Sequence, residues 1–164
     1  MPERSLVSHS EAETLRIGKR LGRSLKHPAL ILLQGELGAG KSVLARGIAR
    51  GLGVSSRVPV TSPTFTLMNH YPARLDLYHF DLYRITDPDE LVELGFDDFA
   101  HGQGVALVEW PERLENKSLP ALKVEVRSCN GSLRKLVFSA VGTDSEALLQ
   151  EFFTELERVP LTTV

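Results

Sequence analysis

A single cysteine, Cys129, stands in a chain of 164 residues. It has no partner within the chain, so no internal disulfide braces the fold, and a reducing cytoplasm is the expected setting. Its expected role is that of a small apolar filler in a strand. No stretch approaches the ~18 consecutive apolar residues of a membrane-spanning helix. Met1 to Ser10 is polar and charged, without the apolar segment of a secretory leader. Neither sign of charge dominates: 19 basic residues face 21 acidic ones, for a net charge of −2. That balance removes the global basic footprint of a nucleic-acid binder and leaves room only for a local patch. Repeats, low-complexity tracts and long linkers are missing. The histidines (His9, His27, His70, His79 and His101) share no metal-ligand spacing with cysteine or acids. No Ser-His-Asp arrangement suggests itself.

What is present is ordinary for a soluble globular protein, with 42% hydrophobic and 24% charged residues. The length predicts a single domain over residues 1–164, large enough to bury a substantial core. One segment is far more informative than the average. Gly35-Glu36-Leu37-Gly38-Ala39-Gly40-Lys41-Ser42 fits the P-loop pattern G-x-x-x-x-G-K-[ST]. Backbone N–H groups of such a loop cradle phosphates, the lysine reaches the β- and γ-phosphates, and the hydroxyl ligates Mg²⁺. The apolar run Ala29 to Leu33 precedes it, as a buried parallel strand does. Val43 to Leu52 reads as a helix closed by Gly53. Strand, glycine loop and helix in this order place a helix N-terminus beneath an anion.

The flanking elements define the class. Ser10-Glu11-Ala12-Glu13 is a capping box that opens a helix with Leu15, Gly18, Leu21 or Gly22, and Leu25 on one face. Phe65–Tyr71 and Leu75–Tyr83 read as strands, the second with Leu75, Leu77, His79, Asp81 and Tyr83 on one side. Asp87 caps a short helix with Pro88 in its first position, and Gly95 ends it. Val105–Val108 is a second buried parallel strand. Leu122–Arg127, a two-residue turn at Asn130-Gly131 and Leu133–Ala140 form a hairpin. Thr143-Asp144-Ser145-Glu146 is a second capping box before an amphipathic helix. The expected fold is α/β: a P-loop NTPase with a mixed, partly parallel sheet, flanking helices and a C-terminal β-hairpin.

Magnesium bound at a P-loop needs further oxygen ligands, commonly an acid at the end of a neighbouring strand. Glu109 follows Leu107-Val108 at such a strand end, where ligands collect in open α/β sheets. Asp81, between Phe80 and Leu82, is the second candidate; it is either buried with a partner or on a solvated face. Thr61-Ser62-Pro63-Thr64 offers hydroxyls on a proline-braced loop, although such loops are common as plain turns. Trp110, the only tryptophan, either stacks on a ligand or packs. Asn116-Lys117-Ser118-Leu119 begins like the guanine-reading N-K-x-D but carries leucine where the carboxylate belongs, which favours ATP over GTP.

Five blocks in order, over about residues 35–111, carry a family resemblance. They are the P-loop itself, Ser62-Pro63-Thr64-Phe65-Thr66-Leu67, His79-Phe80-Asp81-Leu82-Tyr83-Arg84, Asp87-Pro88-Asp89-Glu90-Leu91 running on to Leu94-Gly95, and Val108-Glu109-Trp110-Pro111. With them the chain resembles the TsaE (YjeE) family of small bacterial P-loop ATPases. The resemblance implies a role in forming N6-threonylcarbamoyladenosine in tRNA. It implies slow ATP hydrolysis with Mg²⁺ while docked on a TsaD–TsaB heterodimer, with tRNA reached only through that complex. By position it implies Gly35, Leu37, Gly38, Ala39 and Gly40 around the nucleotide, Lys41 on phosphate and Ser42 on Mg²⁺. Glu109 matches the family's Walker-B-like acid and Asp81 its other acid near Mg²⁺. Thr64 falls in a switch-like loop. Glu11 matches a residue beside the base, and Leu133-Arg134 border the nucleotide. Arg84 and Arg134 are the nearest arginines, and neither is assigned as a finger. The alternative is a small-molecule kinase sharing the P-loop, but no arginine cluster follows that would form a basic lid.

Overall fold

Strands from both halves of the chain join one seven-stranded sheet in the order β1-β7-β6-β2-β5-β4-β3. The structure, a computed structural model, describes residues 3–63, 66–114 and 119–161. The strands are β1 (Arg4–Ser8), β2 (Ala29–Gln34), β3 (Met68–Tyr71), β4 (Leu77–Asp81), β5 (Val105–Glu109), β6 (Ala121–Ser128) and β7 (Arg134–Val141). The helices are α1 (Glu11–Ser24), α2 (Lys41–Leu52), α3 (Asp89–Leu94), α4 (Phe96–Ala100) and α5 (Thr143–Arg158), with a 3₁₀ turn at Pro111–Arg113. β4, β5, β2 and β6 run parallel to one another, while β3, β7 and β1 pair antiparallel at the flanks. The sheet is mixed, as the sequence predicts.

The parallel strands are apolar along their whole length because both their faces are covered. Ile31, Leu33, Leu77, Val105, Leu107, Leu122 and Val124 pack toward Ile17, Leu21, Leu44, Ile48 and Phe152 on one side. Leu30, Leu32, Phe80, Ala106 and Val108 pack toward Leu91, Phe96 and Ala100 on the other. His79, Asp81 and Glu109 share the parity of Leu77 and Leu107, which places them on the first face, with the P-loop helix.

Glycine sets how closely α1 and α2 approach. Gly18 and Gly22 of α1 face Gly47 and Gly51 of α2, and a Cβ added at Gly18 would lie 2.5 Å from the Leu44 carbonyl oxygen. The Arg74 guanidinium ties the far ends together by donating to the carbonyls of Leu25, Gly22 and Gly51. The N-terminus of α1 is thereby held beside the start of α2, where the P-loop ends.

Several expectations need correction. Ser10 caps α1 as predicted, its Oγ accepting from Glu13 N–H at 3.0 Å. The second capping box does not form: Thr143 is already helical, Gly142 with φ 96° holds the cap position, and no side chain caps the helix. Asp87 still accepts from Asp89 N–H at 3.0 Å, but Pro88 sits at the cap position and α3 begins one residue later. The hairpin connection is longer than two residues, because Ser128 pairs with Arg134 and the turn closes through Leu133 N–H to the Asn130 carbonyl. Cys129 lies in that connection and is exposed, so it fills no core. β3 begins at Met68, and β1 and α4 arise where the sequence predicts no element.

Candidate functional site

The P-loop leaves the C-terminal end of β2 and turns into α2 through three glycines of positive φ: Gly35 at 154°, Gly38 at 79° and Gly40 at 108°. Gly35 is needed for space as well, since a Cβ there would come within 2.6 Å of the Val126 carbonyl oxygen. Ala39 N–H donates to the Glu36 carbonyl at 3.1 Å and tightens the loop. Ala39 is buried beneath it, while Leu37 is exposed at its crest.

Lys41, the first residue of α2, is buried, and its Nζ has no hydrogen-bond partner among the described residues. The ammonium sits 3.8 Å from the centroid of the Trp110 ring. Burial pulls the Lys41 pKa below its ordinary value, and the charges of Glu109, Glu112 and Asp81 only partly oppose it. An ammonium desolvated in this way at a helix N-terminus is strongly favoured by an incoming anion. Trp110 reaches it because its backbone adopts the left-handed region at φ 60°, unusual outside glycine. Tyr83 packs against the indole with ring centroids 4.9 Å apart.

Ser42 continues the site. Its Oγ lies 3.2 Å from Ser62 Oγ, and Ser62 Oγ donates to Glu109 Oε2 at 3.1 Å. The same oxygen of Glu109 lies 2.6 Å from His79 Nε2. Asp81 pairs with Glu109 across the β4–β5 ladder, and its Oδ1 accepts the Tyr83 N–H at 3.0 Å. Both acids are buried, which answers the question the sequence leaves open for Asp81. Their environments push them apart. Burial raises the Glu109 pKa, but hydrogen bonds from His79 and Ser62, with the charges of His79 and Lys41, bring it below the usual carboxylate range. Burial raises Asp81, the Tyr83 N–H opposes this, and the Glu109 charge adds to the rise. Two carboxylates with opposed shifts in one cleft are suited to different tasks.

Donors of the right kind for Mg²⁺ therefore converge: the Ser42 hydroxyl and the Asp81 and Glu109 carboxylates, beside an unpartnered cation suited to phosphate. No cluster of three or more His, Cys, Asp or Glu residues suited to a metal occurs among the described residues. A cleft of about 690 Å³ opens over the loop, lined among others by Gly35, Leu37, Gly38, Trp110, Glu125 and Arg127. On the other flank Glu11, Thr14, Gly38, Gly40 and Arg134 line a small cavity of about 70 Å³. Arg134 Nε donates to the Ala39 carbonyl at 2.8 Å, so β7 is fastened to the P-loop. Glu11 and Arg134 thus meet at the loop, and Leu133 joins them through its own carbonyl, which accepts from Arg134. Thr64 lies outside the described residues. A further cavity, of about 540 Å³, is lined by Leu25, His27, Ala29 and Leu148 at the opposite end of β2, and none of the predicted residues reaches it.

The sequence alone assigns His79 no role: its place two residues before Asp81 sets both on one face, but its partner Glu109 on the neighbouring strand is not readable from that spacing.

The family model described as "Threonylcarbamoyl adenosine biosynthesis protein TsaE" matches residues 8–136, most of the chain. The chain belongs to the TsaE family. It is 41% identical over 142 residues to the tRNA threonylcarbamoyladenosine biosynthesis protein TsaE of Bacillus subtilis, covering 85% of this chain and 87% of that protein. Against the TsaE protein of Treponema pallidum it is 40% identical over 120 residues, 73% of this chain and 87% of the relative. A crystal structure of Bacillus subtilis YdiB superposes with a TM-score of 0.78 at 32% identity, covering 94% of this chain and 96% of that one. Family and fold thus agree with the motif blocks. None of the described helices is long and apolar enough to cross a membrane.

Proposed function

We propose that this protein binds and slowly hydrolyses ATP in the service of N6-threonylcarbamoyladenosine formation in tRNA, acting in the cytoplasm as the partner of a TsaD–TsaB heterodimer. The observation that carries the ATP-binding part is the buried, unpartnered ammonium of Lys41 beneath a three-glycine loop. The loop amides and Lys41 hold the phosphates and neutralise charge as it develops. Ser42, with Asp81 or Glu109, would hold Mg²⁺. When bound, Mg²⁺ would supply Lewis-acid stabilisation of the phosphate charge. Glu109, kept ionised by its hydrogen bonds, orients the attacking water. Glu11, Leu133 and Arg134 border the nucleoside end. The tRNA is reached through the partner complex, for which the near-balanced charge supplies no substitute.

Phosphate release from ATP by wild type and Lys41→Ala tests the reading. The expected result is slow, Mg²⁺-dependent release by the wild type and none by the variant. Equal release by both would remove Lys41 from the site. Transfer of phosphate to a small molecule would favour the kinase alternative.

A further inference from the structure

We infer that His79 is the positioning residue for Glu109: its Nε2–H pins one carboxylate oxygen and leaves the other for the reacting water or the cation. This rests on the ATPase reading above. Glu109 Oε2 receives two bonds, from His79 Nε2 at 2.6 Å and from Ser62 Oγ at 3.1 Å. At 2.6 Å this contact is a hydrogen bond, and since an ionised carboxylate only accepts, Nε2–H is its donor. Both bonds fall on the same oxygen, which anchors that end of the group.

The two anchors differ in kind. Ser62 stands on a loop, whereas His79 stands on β4, whose ladder with β5 sets His79 opposite Leu107 and Asp81 opposite Glu109. Groups held on paired strands are located more tightly than groups on loops. His79 is 1% exposed, and its other nitrogen, Nδ1, is buried without a partner among the described residues. A polar atom left in that condition costs stability. A residue kept for packing alone would avoid that cost with an apolar side chain. Among the described residues the ring makes one hydrogen bond, to Glu109. Groups that orient a reacting residue from behind commonly change activity by about 10–100-fold when removed.

Three variants separate positioning from packing. His79→Gln keeps an N–H donor near the Nε2 position, His79→Asn keeps an amide that falls short of it, and His79→Leu removes the donor. Steady-state ATP hydrolysis is measured with and without TsaD–TsaB, and ATP affinity by calorimetry with and without Mg²⁺. The expected result is a kcat for His79→Gln within about threefold of wild type and losses of about tenfold or more for His79→Asn and His79→Leu. The Mg²⁺-free affinity stays within about threefold in all three, while the affinity added by Mg²⁺ shrinks in the Asn and Leu variants and KM measured with Mg²⁺ rises with that loss. A wild-type kcat in His79→Asn, equal losses in Gln and Asn, or a Mg²⁺-free affinity that falls with kcat would each overturn the inference. Should His79→Leu not fold, the Gln–Asn contrast decides. A wild type that hydrolyses no ATP, alone or with the partners, would instead defeat the ATPase reading and this inference with it.

Discussion

At the residue scale the site trades stability for readiness. Lys41 is held as a desolvated cation, its pKa lowered by burial. Lys41→Met should leave the nucleotide-free protein at least as stable as wild type. A gain of ~1 kcal/mol would raise Tm by roughly 2–4 °C at this size. ATP affinity should fall by about 100-fold, the equivalent of ~2.7 kcal/mol. Scanning calorimetry and titration calorimetry read the two effects; a lower Tm would contradict the account. Asp81 makes a related case with a defined pH sign. Its folded pKa is raised above the ordinary 3.8, by burial first. The stability it contributes is full below that ordinary value and is lost as pH rises through the raised one. Asp81→Asn retains an acceptor for the Tyr83 N–H, so it should raise Tm at neutral pH and flatten the decline. Glu109 has the opposite sign: its contribution is present above the ordinary 4.5 and is lost as pH falls through its lowered value. Glu109→Gln should therefore cost stability near neutrality, with the gap to wild type closing in acid. Thermal unfolding from pH 3 to 8 checks both signs. Glu109 and Asp81 were legible in the sequence because apolar strand residues flank them. His79 was not, because its bond to Glu109 crosses between strands and depends on register, which spacing within one segment does not carry.

At the element scale, glycine in α1 and α2 holds the P-loop helix in place. A Cβ at Gly18 would meet the Leu44 carbonyl oxygen at 2.5 Å. Gly18→Ala should therefore destabilise by about 1–3 kcal/mol through overpacking, despite alanine's better helix propensity. Urea unfolding measures it, and a stabilised variant would refute the close approach. The two N-termini give a matched comparison. Ser10→Ala should cost about 1 kcal/mol, because its Oγ accepts from Glu13 N–H. Thr143→Ala should cost under about 0.5 kcal/mol, because no side chain caps α5. The N-cap residue of the pattern thus reads correctly at α1 and wrongly at α5, where Gly142 with φ 96° already turns the chain. Strong periodicity and buried runs made α1, α2, β2 and β5 legible. β1 was not, since Arg4 to Ser8 has no clean alternation and is a strand because β7 offers it a pairing edge. α4 follows Gly95 so closely that a helix end concealed a helix start.

At the scale of the whole molecule, β2, β4 and β5 run parallel and bring the P-loop, Asp81 and Glu109 to one end of the sheet. Chain order alone does not reveal this, because the three strands are contiguous only in the sheet order. β7 closes the arrangement from the far side through Arg134 and the Ala39 carbonyl. The C-terminal hairpin therefore shapes the surroundings of the P-loop as well as covering the core. The cleft over the loop is open, which fits the proposal that a partner completes the site. The most direct measurement is ATP hydrolysis and threonylcarbamoyladenosine formation in a mixture with TsaD, TsaB and tRNA, for wild type and Lys41→Ala. The expected outcome is slow hydrolysis by the protein alone, stimulation by TsaD–TsaB and sustained modification, all lost in the variant. Fast hydrolysis by the isolated protein, indifferent to TsaD–TsaB, would contradict it.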